Sequence, residues 1–326
     1  MHSRLLASVF LLAAMLASPG PLAAKTAQVA ALTFRPLSDQ AWAATWSIFT
    51  EALRQHGWIE GQNLNLTLRS TDGHDERAAG LAAELVAQSP DVIVTINYPN
   101  TKAVSEKTST IPIVMFGVPD PVRLGLIASL PRPGGNITEV STQTEDTLDK
   151  SLQLIKEIQP GASRIAVITY GAEPYWGLAR NNYAAAAQHV GVTVDPIPVQ
   201  SAADLEAALA RVAAERPDAL IVSSTPVFAV SASGIATFAI EHRLPTLTFQ
   251  TQMARDGLLM SYEPEVPELL RSAAGIVDKI LRGAKPLDIP VEQPTQFRFV
   301  INAKTAHALG REIPSSLLTR ADEIVE

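Results

Sequence analysis

The sequence predicts an α/β protein of two similar Rossmann-like lobes. Three observations carry that expectation. First, Pro90–Phe116 reads as an apolar strand, a polar corner, a helical segment and a second apolar strand; Pro217–Phe249 repeats the plan. Pro-Asp opens both copies, and a second proline follows nine positions later, at Pro99 and Pro226. Second, the match extends upstream, where VAALTF at 29–34 echoes IAVITY at 165–170. A repeat of this length indicates a duplicated supersecondary unit, here βαβαβ. Third, 326 residues exceed one small core and suit two domains.

The first 24 residues have the pattern of an export signal. Arg4 supplies the positive start, Leu5–Leu16 is too short to span a bilayer, and Leu22-Ala23-Ala24 offers a cleavage site before Lys25. The net charge is -7, and losing Arg4 takes the mature chain to -8. No Lys/Arg cluster is present, which argues against nucleic acid or an anionic membrane surface as partner. The chain has no cysteine, so disulfides are excluded. A lipoprotein anchor, which needs a cysteine directly after the signal, is excluded too. The mature protein is therefore expected free in the periplasm, as a monomer.

The remaining elements follow from local pattern. Val29–Phe34 is a strand, and Ala41–Gln55 a helix with Trp42, Trp46, Phe49 and Leu53 at helical spacing. Asn63–Arg69 alternates as a half-buried strand, Asp75–Gln88 is a helix, and Val92–Ile96 is a core strand. A second strand, Ile111–Phe116, leads to a rigid corner at Gly117–Pro121 and a short helix. Ile137–Ser141 and the amphipathic helix Leu148–Ile158 lead to the second lobe. There Arg164–Tyr170, Val192–Val199, Ala219–Ser223 and Pro245–Phe249 read as strands. The intervening helices are Leu178–His189, Ala203–Ala214 and Ser231–His242. Gly257–Tyr262 and Gln296–Ile301 are further strands, with helix Pro267–Arg282 between them. No Gly/Ser-rich tether separates the halves, so the lobes are expected to share several crossings. Residues 25–140 form lobe one, completed by about 260–285, and 141–259 form lobe two, completed by about 286–326.

Ligands of open α/β sheets bind outside the carboxyl ends of the strands. Here those ends carry Phe34, Asn97, Tyr98 and Asp120 in lobe one. In lobe two they carry Tyr170, Ser224, Thr225 and Gln250, with Tyr175, Trp176 and Tyr262 nearby. Hydroxyls, amides and rings suit a small molecule with polar ends and an apolar body. The scattered histidines lack metal-binding spacing, and no nucleophile elbow, P-loop or GxGxxG occurs. The expectation is a binding protein without catalytic residue, metal or cofactor. A sensing partner of a membrane receptor or kinase, and a periplasmic small-molecule enzyme, use comparable architectures and stay open as alternatives.

The strings HGWIEGQN, AAELVAQSPDVIV, IPIVMFGVPDPVRLGLIASLPRPGGNIT, LLMSYEP, ILRGAKPLDIPVEQPTQFRFVINAKTAHALG and IPSSLLTRADEIVE resemble the ABC-transporter substrate-binding proteins of the TrpX-like family. The resemblance runs from about residue 28 to the C-terminus. It implies the type I periplasmic-binding-protein fold, a small ligand such as an aromatic or related amino acid, and delivery to a membrane permease. It also implies pocket roles for Asn97, Tyr98, Asp120, Tyr170, Ser224 and Thr225. The chain departs from the family's usual Gly-Thr-Pro corner at Asn97-Tyr98-Pro99. It carries Glu263 where glycine usually follows Tyr262, and the segment after Tyr170 is larger and more acidic, with Glu173.

Overall fold

Two sheets account for nearly all the strands of a computed structural model, which describes residues 26–118, 120–142, 145–171 and 175–326. The expected export signal lies outside the described residues. The first sheet contains β1 (Ala27–Thr33), β2 (Leu64–Ser70), β3 (Val92–Ile96), β4 (Ile113–Phe116) and β5 (Ile137–Val140) in the order β2-β1-β3-β4-β5, all parallel. The second contains β6 (Arg164–Tyr170), β7 (Thr193–Val199), β8 (Ala219–Val222), β9 (Thr246–Thr248), β10 (Met260–Pro264), β11 (Phe297–Asn302) and β12 (Glu323–Val325). Its order is β12-β11-β10-β9-β8-β6-β7, antiparallel only between β10 and β11. The run β7-β6-β8-β9-β10 repeats β2-β1-β3-β4-β5, the duplication read from the sequence.

The repeated Pro-Asp has a physical reason. Asp91 Oδ2 accepts the Gln28 N–H at 2.8 Å at the start of β1. Asp218 Oδ2 accepts the N–H groups of Ser163 and Arg164 at 2.8 and 2.9 Å at the start of β6. Each aspartate thereby satisfies backbone donors at the strand entrance that no ladder partner reaches. Those bonds hold the Asp218 carboxyl below its ordinary range.

Helices cover both faces. In lobe one, α1 (Gln40–Gln55) lies on one face; α2 (Ala78–Ala87) and α3 (Tyr98–Ser105) lie on the other. In lobe two, α4 (Glu145–Ile158) and α5 (Tyr175–Val190) share a face opposite α6 (Ala202–Glu215), α7 (Pro226–Val230) and α8 (Ala232–Glu241). The expected helix Ser231–His242 is α8, and a further short helix, α7, precedes it across Ser231. The short helix expected after Pro121 is instead a set of turns, with Gly125 N–H bonding Val122 C=O at 3.0 Å and Gly125 at φ +72°. The left-handed glycine stops any helix there.

The chain crosses between lobes three times. After β5 it enters lobe two at α4. After β10 it returns, and α10 (Val266–Leu281) packs on α1, preceded in sequence by α9 (Thr251–Arg255). It then leaves again for β11, α11 (Ala303–Ala308), α12 (Ser315–Arg320) and β12. The sequence reading placed the completion of lobe one at about 260–285. The strand Met260–Pro264 instead stays in the second sheet, paired with Leu247 and Thr248. Residues 286–292 stay with lobe one, since Val291 N–H bonds Leu130 C=O at 2.9 Å and Glu292 N–H bonds Glu139 C=O at 3.0 Å.

Leu269, Leu270, Ala273, Ala274, Ile276, Val277 and Ile280 of α10 are buried with Trp46, Phe49 and Leu53 of α1. Trp58 Nε1 donates to Asp278 Oδ1 at 2.8 Å across the same seam. Lobe one is therefore incomplete without a helix more than 200 positions downstream of β1. Ile276→Ala is expected to cost about 2–5 kcal/mol. Hydrogen exchange should locate the loss in β1, β3 and α1, and an effect confined to lobe two would contradict this packing.

Candidate functional site

The carboxyl ends of the parallel strands in the two sheets supply the corners of an interlobe cleft. At the end of β1, Phe34 is half-buried, with the Arg35 guanidinium 5.6 Å from its ring centre. This corner is lashed to the turn after β2. Thr71 N–H bonds Thr33 C=O at 3.0 Å, Gly73 N–H bonds Phe34 C=O at 2.8 Å, and Ser70 Oγ donates to Arg35 C=O at 2.6 Å.

Asn97, at the end of β3, has φ 75° and ψ 167°. Only glycine adopts this region without strain. The surroundings hold it there: Asn97 N–H bonds Phe116 C=O at 3.1 Å, and its Oδ1 accepts the Asn100 N–H at 3.1 Å to cap α3. Beneath it, Thr101 Oγ1 donates to Asn97 C=O at 2.7 Å, and buried Asn100 donates to Ile96 C=O at 3.0 Å. Tyr98 does not stand free in the cleft; it packs half-buried against the core that contains Leu85 and Val104.

Asp120, after β4, has φ 46° and accepts the Arg123 N–H at 3.2 Å, with the Arg123 guanidinium 3.3 Å away. In lobe two, burial and then the charge of Asp75 raise the Tyr170 hydroxyl above its ordinary range. Asp75 belongs to lobe one, so its charge reaches across to the lobe-two rim. Gly171 follows, where a Cβ would lie 2.6 Å from Pro198 Cβ; only glycine lets β6 and β7 end side by side here.

Ser224 is exposed, and Thr225 precedes α7 with a buried Oγ1 that has no partner among the described residues. Its neighbour Ser223 bonds the hydroxyl of Tyr183, whose burial pushes it up to about 12. Gln250 precedes α9 without a side-chain cap. Tyr175 and Trp176 open α5, and their side chains lie outside the described residues, as does Glu173.

One expectation about an individual residue changes. Tyr262 points away from the corners. It stacks on Phe297 with ring centres 5.1 Å apart and lines a separate hollow of about 310 Å³ with Lys150 and Arg320. Strand alternation is the reason, since Ser261 and Glu263 take the opposite face of β10. Glu263, the next residue, uses its Oε1 to accept the Thr251 N–H at 2.7 Å at the start of α9. Burial raises this carboxyl despite that bond.

A cavity of about 430 Å³ lies between the lobes. Lobe one contributes Asp120, Arg123 and Leu130; lobe two contributes Asn181, Asn182 and Phe249. Ser141 and Gln293, from the first and third crossings, complete the wall, so rotation of the lobes changes its shape. Asp149 and His189 close one side with Oδ2 and Nδ1 2.9 Å apart. Of the residues expected from sequence, Asp120 lines this cavity. Asn181 and Asn182 were missed because they lie inside a helix, away from strand ends. An Asn-Asn pair amid the alanines of α5 was the available signal. No group of three or more potential metal ligands and no helix fit to cross a membrane occurs among the described residues.

The strained corner gives a direct test. Asn97→Gly removes strain of about 1–3 kcal/mol. It gives up a few tenths of a kcal/mol of capping and about 0.5–1 kcal/mol of glycine entropy. Denaturant unfolding is expected to show a net gain of about 1 kcal/mol, and a loss of that size would mean the cap outweighs the strain.

Residues 29–325 match the family model described as ABC transporter substrate binding protein. A curated relative, the tyrosine-binding protein of Clostridioides difficile strain R20291, is 26% identical over 270 residues, covering 81% of this chain and 76% of the relative. Among solved structures, a conserved domain protein from Vibrio cholerae is 28% identical with a TM-score of 0.82, covering 92% of this chain and 100% of that one. An ABC domain from Streptococcus pneumoniae in complex with L-Trp is 24% identical, with the same TM-score and coverage. The two-lobed parallel-sheet architecture is that of the type I periplasmic binding proteins. The chain belongs to the ABC transporter substrate binding protein family.

Proposed function

We propose that this protein is the exported solute-binding component of an ABC importer. It holds one small molecule, an amino acid or related aromatic compound, between its lobes and delivers it to a membrane permease. The observation that carries this reading is the cavity of about 430 Å³ walled by both lobes and by two of the crossings. The names of a tyrosine-binding relative and of an L-Trp complex support the ligand class.

The mechanism is binding. A ligand favours closure only as far as it contacts both lobes better in the closed form. Asp120 accepts a ligand ammonium from the lobe-one side. The amides of Asn181, Asn182 and Gln293 donate to a carboxylate, and Leu130, Leu148 and Phe249 face an apolar body. Phe34, Asn97, Tyr170, Ser224, Thr225 and Gln250 form the wider rim, and Tyr175 and Trp176 open the helix that carries the two asparagines. The 24-residue leader directs the chain to the periplasm and is removed there.

The test is a thermal-shift series on the mature protein with L-tyrosine and L-tryptophan, with native mass spectrometry of whatever co-purifies. A ligand at a hundred times its dissociation constant adds about 2.7 kcal/mol. Binding by either amino acid, weakened tenfold or more (about 1.4 kcal/mol) by Asp120→Asn or Asn181→Ala, is the expected result. No response, with an unrelated compound bound, would discard the amino-acid assignment.

A further inference from the structure

Glu139 is the side chain that the binding reading leaves unused and that the fold least explains. It lies in the middle of β5, between Thr138 and Val140, fully buried. One carboxyl oxygen, Oε1, accepts the Val118 N–H at 3.3 Å. The other, Oε2, is buried with no hydrogen-bond partner among the described residues. An ionised carboxylate in such a place carries a large desolvation cost, whereas a neutral acid does not.

The charged groups nearby do not relieve that cost. From the β4 corner, Asp120 presents a like charge and is engaged by Arg123. From the third crossing, Glu292 presents only its backbone to Glu139. Its carboxylate is taken by the Ser272 hydroxyl and by Lys279 at 3.0 Å, both on α10. No cation is paired with Glu139 among the described residues. Burial first, and then the charge of Asp120, push its carboxyl up to about 8, against the pull of the Val118 bond.

The bond goes to a functional place. Val118 and Asp120 form the corner after β4, and Asp120 lines the interlobe cavity. Gly117 and Asp120 both have positive φ, so the chain turns sharply out of β4, and the Val118 N–H is anchored from outside this turn. Glu139 supplies that anchor from the adjacent strand.

We propose that Glu139, as a neutral acid, is a positioning residue. It holds the Val118–Asp120 corner against lobe one, and the corner and the capture of solute in the cavity weaken as rising pH removes its proton. The part concerning solute rests on the binding reading above; the part concerning the corner does not. The sign follows from linkage. The carboxyl in the intact corner titrates higher than in an opened or unfolded one. The anchoring is therefore complete below the ordinary glutamate range near 4.5 and is lost progressively as pH rises through about 8.

The experiment is hydrogen exchange of the ligand-free mature protein at pH 5.5 and pH 8.5, corrected for intrinsic exchange, with Val118 as the reporter. In the native protein, opening at Val118 is expected to increase about tenfold or more between the two conditions. In Glu139→Gln, which keeps an acceptor for Val118 but cannot ionise, that dependence disappears. Asp120→Asn, which removes the like charge, is expected to move the native profile to lower pH and decides the matter should the glutamine variant fail to fold. An unchanged pH dependence in Glu139→Gln, or in Asp120→Asn if that variant alone folds, would overturn the proposal. L-tryptophan titrated under the same two conditions separates the readings. Its failure to bind at either pH counts against the amino-acid assignment, while the exchange data still decide the role of Glu139.

Discussion

The two lobes turn on how three crossing segments are tied together. Glu292 is the knot. Its N–H bonds Glu139 C=O at 3.0 Å and its C=O receives the Ser141 N–H at 2.9 Å, so the third crossing runs as an extra strand beside the first. Its carboxylate is held by Ser272 and Lys279 of α10, the helix that follows the second crossing. Further along, Glu265 N–H bonds Gln296 C=O at 3.0 Å, tying the second crossing to the third. Three separate tethers would let the lobes twist independently. A laced bundle restricts them to a hinge, and a hinge turns contact with both lobes into closure.

The same lacing places the polar groups. Ser141 and Gln293 stand on the crossings and also wall the cavity, so a ligand there touches the moving lobes and the axis between them. Asp120 lies two positions beyond Val118, whose N–H bonds Glu139 on β5. The charge of Asp75 in lobe one reaches Tyr170 in lobe two. On the proposed binding role, recognition and closure share these residues.

Much of this was legible in the sequence because parallel strands buried on both faces read as continuous apolar runs. VIVTI, ALIV and the Pro-Asp entrances marked the duplicated core, and the strand ends marked the corners. What was not legible depends on contacts distant in sequence. The role of α10 in lobe one is set by a seam with Trp46 and Phe49. The orientation of Tyr262 depends on which face of β10 meets the core beside α4, a choice set by the tertiary packing. Glu263, a departure from the family's usual glycine, accepts the Thr251 N–H at the start of α9. Glu139 was passed over inside an apolar strand, although an acid at such a position was itself the signal.

The central claim is that one solute is held by both lobes at once. The chain has no cysteine, so two can be introduced and labelled without background. Exposed Glu76 beside the lobe-one rim and exposed Glu206 on α6 of lobe two are suitable positions. The measurement is the distance between spin labels at these two sites, with and without saturating L-tryptophan or the co-purified compound. The account predicts one shorter, narrower distance distribution on binding. Saturable binding that leaves the distribution unchanged would show a ligand held by one lobe alone and would contradict it.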